Sequence, residues 1–324
     1  MRDFKYRSVL MGAQTWQGHM NALVSIRSKQ LQPVVTAFLE NVMRIGTSAV
    51  TPAQIAWQVR RDQVICDCAR FRATGKLEPD LLQLEKEVEL PDEYGKEREK
   101  LIKEFFTSLT LGQEEQFLDR YGVGYINVLL EKIEGMQLGI EALLASITIE
   151  AWTAFESLAA DLWALGVDDG PEEIAARLLL ASKSFRSPED SIGPEKAHEI
   201  GVNPKTNFGT FLKRTGKVPL QRLRDIQSWY GRAFGKAAKD SFDQISDGYI
   251  FALAAVRNAL THAAGRADSD FVKAAQRFPE LRNYQLTEKI LLDGDLVRKL
   301  REAAHALAVH LIQLVDDLLT PQTG

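Results

Sequence analysis

The stretch SFDQISDGYIFALAAVRNALTHAAG, residues 241–265, is the best-specified helix of the chain and decides how the rest is interpreted. Ser241 and Gln244 have the spacing of a capping box, in which each side chain bonds the other residue's backbone N–H. Gly265 can adopt the left-handed conformation that ends a helix. Apolar residues recur at steps of three and four and form one stripe: Ile245, Tyr249, Leu253, Val256 and Leu260. The pattern predicts one helix from Ser241 to Gly265.

The last two turns of this helix are polar, whereas the earlier turns are apolar and rich in alanine. They carry Arg257, Asn258, Thr261 and His262. At about 100° per residue, Asn258 and His262 share one face of the helix, and Arg257 shares its face with Thr261. The contrast predicts a functional site. The alternative is structural, because a histidine near a helix end interacts favourably with the helix dipole and an arginine there pairs with a nearby carboxylate.

The spacing Arg-x4-His, with a polar residue directly after the arginine and a glycine just beyond, resembles the motif of the HEPN superfamily. The resemblance covers residues 136–324 and includes Phe155-Glu156 on an earlier helix. It implies a helical domain that pairs with a copy of itself, so that two motifs face one cleft, which in active members cuts RNA without a metal. It also implies a setting in toxin–antitoxin systems, stress response or antiviral defence, with an antitoxin protein as a partner.

The chemistry of the residues agrees with that role. A guanidinium binds two phosphate oxygens and keeps its charge, and an imidazole transfers protons near neutral pH. We therefore expect Arg257 to stabilise phosphate charge, His262 to transfer protons and Asn258 to orient the imidazole. From the resemblance, Glu156 is expected to contact Arg257, and Thr261 is a second supporting residue; the alternative for Glu156 is a solvated side chain. No cofactor and no metal are expected.

The segment between residues 205 and 239 is strongly basic, with Asp225 as its single acid. A concentration of positive charge in an acidic protein predicts contact with a phosphate backbone. The residues assigned to RNA binding are Lys213, Arg214, Lys217, Arg222, Arg224, Arg232 and Lys236. Five aromatic residues lie among them and either stack on unpaired bases or, as their helical spacing favours, belong to the core: Phe208, Phe211, Trp229, Tyr230 and Phe234.

Composition is that of a folded, intracellular protein. The chain has 324 residues, 45% of them hydrophobic, and a net charge of −4. The first residues lack the apolar core of a signal peptide, and no apolar run long enough for a membrane span is evident, so we expect a cytoplasmic location without membrane contact. Cys66 and Cys68, two residues apart on a predicted helix, suit neither a disulfide nor a zinc site.

The whole pattern predicts an all-α fold, a HEPN-like bundle over residues 136–324 with a helical N-terminal region over residues 1–135. A helix is expected to begin at Thr51-Pro52, and another to run from Gln137 to Leu165. Residues 284–296 partly alternate before a turn signal, which predicts a minor β-hairpin or an extended stretch. The last helix, from Asp295 to Leu319, is expected to close the bundle or pack against a second subunit.

Three functions remain open at this level. The first is a metal-independent endoribonuclease that acts as a homodimer on RNA. The second is a non-catalytic HEPN-like module that binds RNA, a nucleotide or a partner. The third is a structural helical protein, for which the polar cluster would have no role. His305 and His310 lie off the apolar stripe of the last helix, five residues apart, and are expected at a surface or interface rather than at a metal.

Overall fold

The structure, a computed structural model, describes residues 26–74, 92–108, 122, 124–181, 207–243 and 248–320. Its helices, in chain order, are α1 (Gln32–Thr74), α2 (Asp92–Ser108), α3 (Gly124–Lys132), α4 (Met136–Asp168), α5 (Glu172–Ala181), α6 (Phe208–Arg214), α7 (Leu223–Phe234), α8 (Lys236–Asp243), α9 (Tyr249–His262), α10 (Ser269–Ala275) and α11 (Gly294–Leu319). No strand forms in these ranges, and the prediction of an all-α fold is confirmed.

The described residues cluster into two compact units. The smaller unit contains the described residues of 48–140, and the larger one contains those of 26–47 and 141–320. Both changes from one unit to the other fall inside a helix, in α1 and in α4. The division into residues 1–135 and 136–324 stays a prediction. The sequence also predicts helices at residues 80–90 and 113–121 from their apolar and charged patterns, and a loop at residues 184–204 from its glycines and prolines. These three segments lie outside the described residues.

The helix start predicted at Thr51-Pro52 is wrong, because α1 runs without interruption from Gln32 to Thr74 with Pro52 inside it. A proline inside a helix lacks the N–H that would bond the carbonyl four residues earlier. Ala49 and Ala53, on either side of it, are buried. Packing of this face therefore maintains the helix where the local sequence favours a new start.

The core of the larger unit forms around α4 and α11. On α4 the fully buried side chains include Phe155, Leu162 and Trp163, and on α11 they include Leu300 and Leu311. Within this chain α11 therefore closes the bundle, which was one of its two predicted roles. The prediction that its first histidine, His305, lies at a surface or interface is wrong.

That histidine, His305, is buried, and its ring meets the edge of Phe38 at a centroid distance of 6.1 Å. His310, five residues further along α11, is half-buried. A histidine off the leucine stripe reaches the core here because α1 covers the other side of α11. The stripe therefore marks only one of the two buried faces of this helix.

Helix α4 is, by length and composition alone, apolar enough to cross a membrane. The expectation that no segment of the chain qualifies is thus wrong. Its large side chains Trp152, Phe155 and Trp163 are buried within the larger unit. A helix that is apolar on most sides is also what the core of a large helical bundle requires.

The predicted single helix from Ser241 to Gly265 is in fact two helices, α8 and α9. Ser241 lies within α8, where its hydroxyl donates to the carbonyl of Ala237 at 3.0 Å and does not cap a helix. The N-cap of α9 is Gly248, whose φ of 67° is left-handed and requires glycine. The helix ends at His262, three residues before the predicted end, and Ala264 and Gly265 then follow in the left-handed conformation with φ of 51° and 73°, with the Gly265 N–H donating to the carbonyl of Ala259.

Within residues 284–296 no hairpin forms, and of the two predicted forms the extended stretch is the one observed. The extended part pairs instead with the residues that follow α9, through a bridge between Arg266 and Lys289 and a 2.8 Å hydrogen bond from Ile290 N–H to Gly265 C=O. Asp293, expected in the turn, caps α11 through Leu296 N–H at 2.8 Å. The extended stretch is thereby fixed against the end of α9.

Candidate functional site

The end of α9 carries a charged pair that involves two helices. Arg257 Nη2 lies 3.6 Å from Oε2 of Glu156 on α4, and each side chain is 22% exposed. Arg257 Nη1 also donates to Asn258 Oδ1 at 3.2 Å. The expected contact between Glu156 and Arg257 is present, and it holds the guanidinium at the edge of the core.

A buried tryptophan completes this arrangement. The Nε1–H of Trp152, a residue 1% exposed, donates to Glu156 Oε2 at 2.7 Å, the same oxygen that faces Arg257. Burial raises the pKa of the Glu156 carboxyl, whereas the Trp152 hydrogen bond and the positive charge of Arg257 lower it in part. Sequence reasoning missed the role of Trp152, although its place four residues before Glu156 on one helix was a usable signal.

Arg257 keeps donor capacity for a ligand. A guanidinium has five N–H donors, and the contacts with Glu156 and Asn258 involve its two terminal nitrogens. Its Nε has no hydrogen-bond partner among the described residues but is buried, so the donors within reach of a ligand are the remaining N–H groups of the two terminal nitrogens. An anion with several acceptor oxygens, such as a phosphate, is the kind of ligand that uses such donors.

The other predicted motif residues lie at the surface of the same helix end. Asn258, Thr261 and His262 are exposed, and His262 is the last residue of α9. The Thr261 hydroxyl donates to the carbonyls of Arg257 at 2.9 Å and Asn258 at 3.3 Å, so its proton stays within the helix. Asn258 and His262 are thus accessible to a ligand beside Arg257.

Two further cations come to this helix end through the backbone pairing after α9. Arg266 and Lys289 form the bridge, and Arg266 Nη1 donates to the carbonyl of Thr287 at 2.9 Å. Lys289 forms an ion pair with Glu141. Sequence reasoning missed both cations, because nothing in the local sequence indicates that residue 289 returns to residue 266.

Most of the basic residues predicted to bind RNA are exposed. The exposed ones are Arg214, Arg222, Arg224, Arg232 and Lys236. Lys213 and Lys217 are half-buried, and Lys213 is paired with Asp161 of α4. Arg232 lies over the ring of Trp229 at 4.6 Å, a cation–π contact that leaves its edge to solvent. The positive charge of this segment therefore remains largely at the surface.

The aromatic residues of the basic segment belong to the core. All five are buried: Phe208, Phe211, Trp229, Tyr230 and Phe234. Trp163 Nε1 of α4 donates to the carbonyl of Trp229 at 3.1 Å, and the Tyr230 hydroxyl donates to the carbonyl of Ala159 at 2.7 Å. These rings therefore cannot stack on bases, and the prediction that they belong to the core is confirmed.

These contacts place α7 and α9 against one helix. Along α4, Glu156 meets α9, and Trp163 meets α7 seven residues later. At a rise of 1.5 Å per residue, the two contacts are about 10 Å apart along the axis, and close to two full turns separate them, so they lie on one face. The motif and the basic helix are therefore neighbours in space.

No three His, Cys, Asp or Glu side chains within the described ranges are placed to hold a metal ion. Cys66 and Cys68 are free thiols, the first half-buried and the second exposed. Comparison with models of known protein families, with curated proteins and with solved structures finds no match to this chain. The description of the site therefore rests on its own geometry.

Proposed function

We propose that this chain is a metal-independent endoribonuclease of HEPN type that acts as a homodimer. The observation that carries the proposal is a guanidinium with spare donors, held by Glu156 and Asn258, on the same helix end as the exposed His262. Anchoring of the cation limits its movement, and exposure of the imidazole leaves it accessible to RNA. A module that binds RNA without cutting it does not require an exposed imidazole beside the bound phosphate.

In the proposed reaction the 2′-hydroxyl of RNA attacks the adjacent phosphorus. Its proton passes to an imidazole, the bond from O2′ to phosphorus forms, the bond from phosphorus to O5′ breaks, and a second acid protonates the leaving oxygen. The products are a 2′,3′-cyclic phosphate and a free 5′-hydroxyl. Arg257 stabilises the extra charge that builds up on the phosphate oxygens.

The homodimer follows from the geometry of this reaction. The attacking and leaving oxygens lie on opposite sides of the phosphorus, so the reaction needs a base on one side and an acid on the other. His262 supplies one of them per chain. Two chains with their motifs across a common cleft supply both, and the basic helix α7 of each chain holds the RNA on either side.

The first test is cleavage of mixed single-stranded RNA in EDTA by wild type, Arg257→Ala and His262→Ala. Arg277→Ala, which removes an exposed arginine outside the motif, is the matched control. Folding of each variant is checked by circular dichroism and thermal unfolding. We expect wild type and control to leave 2′,3′-cyclic ends, and both motif variants to lose at least about 100-fold in rate.

A heterodimer with one His262→Ala chain separates a shared site from two independent ones. A shared site predicts that this heterodimer is nearly as inactive as the variant homodimer. Half of the wild-type rate per dimer would contradict the shared site. If purified, dimeric wild type cuts no RNA, the nuclease proposal is wrong, and the second function, binding of RNA, a nucleotide or a partner without cleavage, takes its place.

A further inference from the structure

The chain returns to the end of α9 as a small closed loop, residues 284–291, which we call the strap. Its base is closed by the buried Tyr284, whose hydroxyl accepts from the N–H of Leu291 at 2.9 Å and donates to the carbonyl of the same residue at 3.0 Å. At its tip, the N–H of Glu288 donates to the carbonyl of Gln285 at 3.2 Å, and the N–H of Gln285 donates to the Glu288 carboxylate at 2.8 Å. Hydrogen bonds within the strap therefore fix its shape.

One residue of the tight turn at its tip has a strained backbone. Thr287 has a φ of 66°, in the left-handed region that favours glycine and that a β-branched residue rarely adopts. Such a conformation persists only where the surrounding structure holds it. The N–H of Thr287 donates to the carbonyl of Ala267 at 2.8 Å, and its carbonyl accepts from Arg266 Nη1 at 2.9 Å. The two residues that hold the strained turn thus belong to the segment that follows α9.

This segment begins directly after the candidate imidazole. His262 is the last residue of α9, and the last turn of a helix opens easily because its carbonyls lack partners within the helix. Here the N–H of Arg266 donates to the carbonyl of Ala263 at 3.0 Å, and the carbonyl of Gly265 accepts from the N–H of Ile290 in the strap at 2.8 Å. Arg266 therefore contacts the end of α9 through its backbone and the strained turn through its side chain.

The strap is also attached to α4. Lys289 forms an ion pair with Glu141, whose side chain is 12% exposed. The same helix carries Glu156, which holds the guanidinium of Arg257. The cation of the motif and the segment that follows its imidazole are therefore both fixed to α4.

We propose that the strap is a positioning element for His262, and that Arg266 is the positioning residue that locks it, acting through the strap and not through contact with RNA. The inference rests on the proposed function, since an imidazole that transfers protons needs a fixed position. Proton transfer requires donor and acceptor within hydrogen-bond reach, so a small displacement of the helix end slows the reaction without weakening RNA binding. Loss of an arginine that bound phosphate would instead weaken binding.

The test compares wild type with Arg266→Ala, Thr287→Gly and the double variant. Thr287→Gly removes the strain, because glycine adopts positive φ freely, so the turn keeps its shape without the contact from Arg266. Arg282→Ala is the matched control, since it removes an exposed arginine two residues before the strap. Folding of each variant is checked by circular dichroism.

Three quantities are measured for each protein. Cleavage of single-stranded RNA gives kcat and KM. Binding of a fluorescent, fully 2′-O-methylated single-stranded oligonucleotide, which lacks the attacking hydroxyl, gives the affinity and its dependence on salt. Hydrogen exchange followed by mass spectrometry reports on the amides of residues 263–267.

We expect Arg266→Ala to lower kcat about tenfold, with KM, oligonucleotide affinity and salt dependence unchanged. The amides of residues 263–267 should exchange about tenfold faster than in wild type. The double variant should return to within about twofold of wild type in both respects, because the strain that Arg266 opposes is gone. Thr287→Gly alone and the control should behave as wild type.

Three results would overturn the inference while the nuclease proposal stands. The first is a lower affinity of Arg266→Ala with a salt slope smaller by about 0.7, which would make Arg266 a phosphate contact. The second is faster exchange with an unchanged kcat. The third is a lowered kcat that Thr287→Gly does not restore. If wild type itself cuts no RNA, the nuclease proposal falls and the inference falls with it.

Discussion

Replacement of Glu156 by glutamine tests whether the pair with Arg257 serves stability or function. The amide has the shape of the carboxylate and still accepts the hydrogen bond from Trp152 Nε1. It removes only the negative charge 3.6 Å from the guanidinium. Any change in the protein then reports on that charge.

Two opposing terms set the size of the effect. At an effective dielectric constant of about 20, two unit charges 3.6 Å apart attract each other by about 5 kcal/mol. Burial opposes this attraction and is the larger influence, because the pKa of the Glu156 carboxyl is raised above its ordinary value. We therefore expect Glu156→Gln at pH 7 to be as stable as wild type or up to about 1 kcal/mol more stable.

The pH dependence has a definite sign. Because the pKa of Glu156 is higher in the folded chain, the carboxyl favours folding at acid pH, and this contribution is lost as the pH rises through the folded pKa. Below the ordinary carboxyl range both side chains are neutral, so the difference between variant and wild type should vanish. It should appear, in favour of the variant, as the pH rises toward neutrality.

The assay is urea unfolding followed by circular dichroism at a series of pH values. Glu150→Gln is the matched control, since it removes a carboxylate of α4 whose pair with Arg44 is more exposed and worth little. Cleavage of single-stranded RNA is measured in parallel. We expect about a tenfold slower rate for Glu156→Gln, because Arg257 loses the group that fixes its position. A variant more than about 2 kcal/mol less stable with unchanged cleavage would refute this reasoning.

Three further changes test the surroundings of the site. Trp152→Phe removes the donor that lowers the pKa of Glu156, so that pKa should rise and the acid limb of the pH–rate profile should move to higher pH. Gly209→Ala would bring a Cβ to 2.4 Å from the carbonyl oxygen of Ala164, and thermal unfolding should show a loss of about 2 kcal/mol or more. The Asp316 carboxylate accepts a hydrogen bond from the buried backbone N–H of Ser28 at 2.8 Å. Asp316→Ala removes that acceptor, and urea unfolding should show a loss of about 2–3 kcal/mol.

Much of the helical architecture was predictable because local sequence encodes it. The apolar periods of α4 and α11 gave their positions to within three residues, with α11 beginning at Gly294 where Asp295 was predicted. Local signals failed where packing opposed them. Pro52 remains inside a helix because the residues beside it are buried, and Ser241 bonds within α8 instead of capping α9.

The candidate site was predictable only in part. The spacing of Arg257, Asn258 and His262 follows from helix geometry, so their common position at one helix end was readable from the sequence. The role of Trp152, which donates to Glu156, depends on the burial of α4, and burial is a property of the tertiary structure. Lys289 lies 23 residues beyond Arg266 in the sequence, and it pairs with Arg266 through a backbone bridge that no local pattern predicts.

The sequence by itself determined that the chain is helical and that a cation, an amide and an imidazole share the end of α9. Helix periodicity and capping depend on residues a few positions apart, so they are local properties. Tertiary structure alone decided that Glu156 is half-buried against Arg257 and that the rings of the basic segment lie in the core. Those properties depend on which helices pack together, and packing is settled by contacts between residues far apart in the chain.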